Sequence, residues 1–288
     1  MNKILNNIEF EYKVDIKNIS TFKTKGYVKG VFYPKNDIEF IEIYNFLNEN
    51  DIPFYIIGNG SNILFSNKSK NIFLISTKKL NKNIKIKDKF VYCSASPILS
   101  YVFQKTFSKG LSGFEYFANI PATVGGAIKM NAGAHGKCIF DYIDKIKIYK
   151  EGKVRYLNKS QIKYNYRTTD LNNCLILSAK FKLNELEKCK IYSNYLSFLE
   201  IRKKSQPLGF SAGCIFKNPP NVSAGYLIDQ CNLKGTTYND AQISNIHGNI
   251  IVNNGNATYD DIMYLINLCK NKVKEKFDID LELEIKIL

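Results

Sequence analysis

Between residues 36 and 48 the apolar positions Ile38, Ile41, Phe46 and Leu47 fall among polar ones at helical spacing, with Pro34 just before them, and predict an amphipathic helix. It runs into Pro53-Phe54-Tyr55-Ile56-Ile57, a short apolar run that reads as a buried strand and ends in Gly58-Asn59-Gly60-Ser61-Asn62. Alternating segments at 71–76, 83–87 and 89–94 read as strands. Residues 97–108 read as a helix with Ile98, Val102 and Phe103 on its apolar side and Gly110 as its stop. Strands follow at 143–149 and 153–157, joined by Glu151-Gly152 as a hairpin turn, and then an apolar strand at 175–181. A helical stretch over 184–204 ends in the polar tail Arg202-Lys203-Lys204-Ser205-Gln206-Pro207, which reads as a domain boundary.

Past that boundary the pattern predicts a short helix at 224–231 and a strand at 250–253. Thr258 is placed to cap a helix whose first turn holds Asp260 and Asp261 and whose apolar face is Ile262, Leu265, Ile266, Cys269 and Val273. Residues 281–287 alternate, setting Glu282 and Glu284 on one face of a half-exposed edge strand. No internal repeat appears, and the order is mixed α and β throughout.

Composition changes this picture little. A chain of 288 residues with 45% hydrophobic and 13% aromatic residues can bury more than one core and is not disordered. No apolar run has the roughly 18 residues that a membrane span needs. The opening MNKILNNIEFEYK has no apolar stretch ending in a small-residue cleavage site, so a cytoplasmic location is expected. Seven scattered cysteines without a C-x-x-C pair, and two histidines far apart, favour reduced thiols and no metal site. The formal charge of +15 invites a nucleic-acid reading, yet only Arg155, Arg167 and Arg202 of the 41 basic residues are arginine, the type preferred for planar phosphate contacts. No nucleic-acid partner is expected; an anionic small substrate suits such a field equally well.

Three stretches carry candidate chemistry. Gly58–Asn62 follows a strand, where glycines let backbone approach a ligand. Residues 110–136 hold six glycines, and the Ile120–Ala127 part offers small side chains and free backbone amides to a flat, diphosphate-bearing cofactor. Ser211-Ala212-Gly213-Cys214-Ile215-Phe216-Lys217-Asn218-Pro219 puts a thiol on a loop. Arg167, between Tyr166 and Thr168, reads either as a surface arginine stacked on a ring or as a clamp for a substrate carboxylate.

Taken in order, Thr21-Phe22-Lys23, Gly58-Asn59-Gly60-Ser61-Asn62, Gly110-Leu111-Ser112-Gly113-Phe114-Glu115, residues 120–127, Met130-Asn131-Ala132-Gly133, Tyr166-Arg167, residues 212–219, residues 247–253 and residues 281–285 resemble the UDP-N-acetylenolpyruvoylglucosamine reductases. These are FAD enzymes of bacterial cell-wall precursor synthesis, and the spacing resembles their shorter subgroup. The resemblance implies an α+β chain with a vanillyl-alcohol-oxidase-type (PCMH-like) FAD-binding domain over 1–200, made of two subdomains split near 76, and an α+β substrate domain over 201–288. It implies FAD as cofactor, NADPH as co-substrate and a UDP-sugar as substrate, with no membrane insertion and no obligatory protein partner.

By the same resemblance, Gly58, Asn59, Gly60, Ser61, Asn62, Ile120, Pro121, Thr123, Gly125 and Gly126 hold the FAD, with Asn131 and Gly133 nearby. Hydride addition at the enolpyruvyl C3 builds negative charge at C2 and its carboxylate. Arg167 matches the arginine that stabilises this charge, Glu284 the glutamate near it, and Cys214 the serine or cysteine that protonates C2. Lys217, Asn218 and Asn249 match substrate contacts, and Arg202 and Lys203 are candidates for the diphosphate. The chain departs from the family pattern at Gly26-Tyr27, Asn119, Ala122, Thr169 and Gly248; Ala122 matters most if its backbone has positive φ. An FAD oxidase acting on another substrate, or a basic RNA-binding protein without catalysis, are the competing readings.

Overall fold

Asn36 starts helix α1 (Asp37–Glu49) because its side chain accepts the Glu39 amide at 3.0 Å, filling one of the donors that a helix start leaves open. In the computed structural model, which describes residues 8–288, the buried side of α1 is Phe40, Ile43 and Leu47. Ile38, expected on that face, is 70% exposed. Spacings of three and four residues join 40, 43 and 47, whereas in the expected set only 38 and 41 are so spaced, and packing selects the former.

The described chain groups into two compact units. One comprises residues 8–10, Phe32–Asn59 and Leu74–Arg202; the other comprises Glu11–Val31, Gly60–Phe73 and Lys203–Leu288. This grouping is not linear. Residues 11–31 and 60–73 go with the C-terminal part instead of the first 200 residues, and the last change of unit falls inside helix α4 (Lys188–Ser205), between Arg202 and Lys203. Lysine and arginine are good helix formers, so the helix continues through the polar tail that reads as a boundary.

In the first unit an antiparallel sheet runs in the order Lys153–Asn158, Ile143–Lys150, Leu175–Lys182, Phe90–Ser94, Ile84–Lys87. Its first hairpin turns at Glu151 and Gly152, both at positive φ (52° and 74°), as a two-residue turn matched to strand twist requires. Strand Leu175–Lys182 alternates buried and half-buried positions. Against the sheet's buried side pack Leu99, Val102 and Phe103 of α2 (Leu99–Ser108) and Val124, Ala127 and Ile128 of α3 (Val124–Lys129). The turn between these helices is pinned by the buried carboxylate of Glu115, which accepts from Ser112 Oγ and from the Gly113 amide.

Phe54–Ile57 is the last strand of a four-stranded sheet. Tyr55 and Ile56 are therefore exposed and only Ile57 is buried, in place of the fully buried strand that its apolar run predicts.

The second unit is built around α6 (Tyr259–Phe277), whose Ile262, Leu265, Ile266, Cys269 and Val273 are buried as the pattern requires. They meet Leu227 and Ile228 of α5 (Ala224–Gln230), the strands Ala241–Ile243 and Ile251–Asn253, and Phe22, Phe216, Leu281 and Ile285. Of the alternating tail only Lys286–Ile287 forms a regular strand, parallel to Ile63–Leu64. Among the described residues no helix is long and apolar enough to cross a membrane. Thr258 and Asp261 close a capping box at the start of α6, each side chain accepting the other's amide (3.2 and 2.8 Å). Thr258→Ala is expected to lower the unfolding free energy by about 1 kcal/mol in a denaturant titration, with the m-value unchanged.

Candidate active site

In the first unit the two glycine-bearing stretches meet. A Cβ on Gly58 would stand 2.4 Å from Thr123 Oγ1, so only glycine permits this approach, and Asn59 Nδ2 donates to Pro121 O at 2.8 Å. Gly125 is tightly packed, since a Cβ there would lie 3.0 Å from that of Ala95. The free amides expected along 120–127 are largely spoken for. Ile120, Val124, Gly125 and Ala127 donate to the carbonyls of Phe117, Pro97, Ala95 and Thr123, and Gly126 donates to Thr123 Oγ1. The reason is that α3 begins here: neighbouring chain fills the donors that a helix start leaves open.

Directly after α3 the chain grips a hairpin made by Tyr164–Asn165 and Thr168–Thr169. Thr169 Oγ1 donates to Lys129 O (2.9 Å), Asn131 Nδ2 to Asn165 O (2.9 Å), and Arg167 Nη2 to Gly133 O (2.9 Å). The hairpin's Tyr164 stacks on Phe140 at 4.4 Å. Arg167 sits in its two-residue turn at φ +56°, with its guanidinium 5.1 Å from the centre of the Tyr166 ring. Arg202 lies in the last turns of α4, followed by Lys203. Burial, and secondarily the charge of Arg202, holds the His135 imidazole below its ordinary pKa; that ring stacks on Phe198 at 4.2 Å.

The second unit contains Cys214, Glu284 and the other C-terminal candidates. Residues 211–219, read from sequence as a loop, are held on both sides like a middle strand. Ile215 N donates to Asn249 O and Glu284 N to Ile215 O, each at 2.8 Å, and Lys217 N donates to Glu282 O at 2.8 Å. Single bridge pairs join Cys214 to Ile250 and Phe216 to Leu283. Gly213, at φ +73° with nothing near its Cβ position, makes the bend into this stretch; its need is conformational. Cys214 is half-buried, and all seven cysteines are thiols. Lys217 pairs with Glu282. Asn218 Oδ1 accepts the Ala224 amide at 3.0 Å.

Asn249 is 2% exposed, and its amide closes on Phe216 from both ends: Oδ1 accepts Phe216 N (2.9 Å) and Nδ2 donates to Phe216 O (2.8 Å). The backbone N–H of Asn249 in turn donates to His247 Nδ1 (3.2 Å). Burial, then the Lys234 charge, lowers the His247 pKa, in keeping with a neutral ring that accepts. Gly60, Ser61 and Asn62 belong to this unit, while Gly58 and Asn59 belong to the other. Asn62 Nδ2 donates to Glu284 O at 3.1 Å.

Two family models match the chain: an FAD binding domain over residues 28–155, and the C-terminal domain of UDP-N-acetylenolpyruvoylglucosamine reductase over 206–288. A UDP-N-acetylenolpyruvoylglucosamine reductase from Chloroherpeton thalassium is 39% identical, over 93% of this chain and 90% of its own. This chain belongs to that family. The crystal structure of the UDP-N-acetylenolpyruvylglucosamine reductase from Thermus caldophilus superposes with a TM-score of 0.83 at 31% identity, covering 97% of this chain and 99% of that one. A solvent-stable cholesterol oxidase shares the fold alone, with a TM-score of 0.50 at 14% identity over 64% of this chain and 39% of its own. The fold is therefore the vanillyl-alcohol-oxidase-type FAD-binding fold with a C-terminal α+β part, as the sequence resemblance implies.

Within this reductase the departures find local explanations. Ala122 is not at positive φ; the left-handed residue near the Ile-Pro is Asn119 (φ +57°), a type that tolerates it. Thr169 keeps the hydroxyl that reaches Lys129 O. Sequence reasoning passed over Thr21 as a contact: its Oγ1 donates to Ser211 O at 2.7 Å while its amide donates to Gly60 O at 3.3 Å. It also passed over Asn253, whose Nδ2 donates to Phe22 O and Lys23 O (2.9 and 3.0 Å). Both lie inside stretches that carry the family resemblance, but nothing else in the sequence marks them as contacts. Gly248 is the departure with a measurable consequence, because a Cβ there would lie 2.7 Å from Gly225 O. Gly248→Ala, which restores the residue usual in the family, is expected to destabilise this chain by about 1–3 kcal/mol in thermal or denaturant unfolding.

Proposed function

We propose that this chain is an FAD-dependent reductase that converts UDP-N-acetylenolpyruvoylglucosamine to UDP-N-acetylmuramate in peptidoglycan precursor synthesis, with NADPH as the electron donor. The observation that carries the reading is the doubly bonded stretch 214–217, which puts Cys214 and Glu284 on neighbouring segments of a chain matching the reductases along nearly its whole length.

The cofactor is FAD. The residues suit it: Gly58 and Thr123 approach with no side chain between them, and Asn131 Oδ1 is a buried acceptor without a partner among the described residues. Gly58–Asn62, Ile120–Gly126, Asn131 and Gly133 would hold it. When bound, FAD supplies the two-electron reduction.

The chain's own side chains have the remaining work. Reduction at the enolpyruvyl C3 places negative charge on C2 and the carboxylate, and the Arg167 guanidinium is suited to a carboxylate because it presents a planar fork of donors. The bond from Arg167 Nη2 to Gly133 O, the Tyr166 ring and the clamped hairpin set the direction of that fork. Cys214 gives its thiol proton to C2, leaving a thiolate that regains a proton from solvent. Glu284 assists as a protonated or hydrogen-bonded group, since a bare second anion would oppose charge at C2. Asn249 acts through Phe216 as a positioning residue for this stretch. Lys217 and Asn218, with Arg202 and Lys203, serve the UDP-sugar.

Anaerobic addition of NADPH to the FAD-loaded protein should bleach the flavin absorbance, and the enolpyruvyl substrate should restore it; a protein that takes up no FAD, or a bleached flavin that this substrate leaves unchanged, would overturn the reading. Cys214→Ala is expected to keep the bleaching step and to lose the recovery by orders of magnitude, with Cys214→Ser retaining substantial recovery in stopped-flow. Normal recovery in Cys214→Ala would transfer the proton donation to Glu284. Arg167→Lys replaces a bidentate fork by a point charge and should cut kcat/KM for the enolpyruvyl substrate severely while leaving the rate of flavin bleaching by NADPH near wild type in stopped-flow.

A further inference from the structure

Asn131 follows α3 by two residues, at φ +42° and 5% exposed. Its Nδ2 donates to Asn165 O at 2.9 Å. That bond fixes which way the amide faces, because turning it over would set its oxygen against a carbonyl oxygen. Oδ1 is thereby directed elsewhere as a buried acceptor, and among the described residues nothing donates to it. Buried acceptors are rarely left so, which points to a donor that is not part of the chain.

The other end of the amide leads to Arg167. Asn165 is the last residue of the first hairpin strand and pairs with Thr168, so Arg167 lies in the turn immediately beyond the carbonyl that Asn131 holds. Asn165 Oδ1 also accepts the Tyr166 amide at 2.7 Å, so the start of this turn is fixed by the same residue. The bonds from Thr169 to Lys129 and from Arg167 to Gly133 flank Asn131 on either side in sequence, which makes its side chain the middle one of three fastenings.

We propose that Asn131 is a positioning residue that couples the bound FAD to Arg167: its Oδ1 accepts an N–H or O–H donor of the cofactor, and the same amide's Nδ2 holds the Asn165 carbonyl and with it the Arg167 turn. The proposal rests on the FAD-binding reading. Filling the acceptor holds the amide plane from both ends and so strengthens its hold on the Asn165 carbonyl; FAD thereby steadies the hairpin, and by reciprocity a steadied hairpin tightens FAD.

The test measures amide hydrogen exchange of residues 164–169 in the full-length protein, stripped of FAD and reloaded, together with FAD affinity from flavin fluorescence. Asn131→Gly is the informative variant, because glycine accepts the positive φ and only the amide is removed. In the wild type FAD should slow hairpin exchange by about tenfold, within the usual range of coupling between sites. In Asn131→Gly that slowing should vanish and FAD should bind about tenfold more weakly. Asn131→Asp keeps an acceptor but turns an oxygen toward Asn165 O, so it should lose the slowing while losing less FAD affinity than Asn131→Gly. Hairpin exchange that ignores FAD in the wild type, or an Asn131→Gly protein that keeps both the slowing and the affinity, overturns the coupling. A wild-type protein that binds no FAD overturns the cofactor reading beneath it, and the two failures are distinguished by the fluorescence titration alone.

Discussion

The Asn249 side chain satisfies both backbone groups of Phe216, and the thiol-bearing stretch depends on that pair of bonds. A backbone that leaves regular structure still has to bond every buried N–H and C=O. Residues 214–217 are too short and bent to join a ladder of their own, so neighbours supply the partners one at a time: Asn249 O and Ile250 on one side, Glu282 and Glu284 on the other. Removing the Asn249 amide would strand two groups of a fully buried phenylalanine. The direction of Cys214 is thus a consequence of hydrogen-bond satisfaction two residues away.

The same device recurs wherever candidate chemistry sits on irregular chain. Asn253 takes the carbonyls of Phe22 and Lys23 with its nitrogen and the amides of Gly255 and Ala257 with its oxygen. Asn62 holds the Glu284 carbonyl, and Asn131 holds that of Asn165. One amide offers both a donor and an acceptor in a rigid plane, so an asparagine can stand in for a missing strand neighbour. Glycines contribute something different. Gly58 and Gly125 permit close approach of backbone to side chain, and the helix that follows consumes most of the amides that an unstructured loop would have offered to a ligand.

Much of the fold is written in the sequence, and the exceptions have common physics. Helices with strong caps and a clear apolar face, α6 above all, follow directly from the pattern, because cap and face are local. Strand exposure does not: the apolar run ending at Ile57 is compatible with an interior or an edge position, and sheet order decides between them. Nor does the grouping of residues 11–31 and 60–73 with the C-terminal part, since it depends on contacts between segments far apart in sequence. Candidate chemistry was legible in Cys214, Glu284 and Arg167 through motif order. Positioning residues such as Thr21, Asn165 and Asn253 were not, because a lone hydroxyl or amide carries no pattern until the backbone groups it serves are known.

Arg167 gathers these constraints into one place. A non-glycine residue in the left-handed region costs on the order of 1–3 kcal/mol, and such a conformation persists only where its surroundings over-determine it. The surroundings here do so with Thr169 on Lys129, Asn131 on Asn165, Phe140 beneath Tyr164 and the guanidinium itself on Gly133. Asparagine or glycine would occupy the same turn at less cost, but neither carries a guanidinium. The segment after α3 that holds this turn is itself left-handed at Asn131 and at His135. Conformational cost on one stretch of chain is matched by conformational cost on the stretch that holds it, and the three hydrogen bonds between them are what make the pair stable.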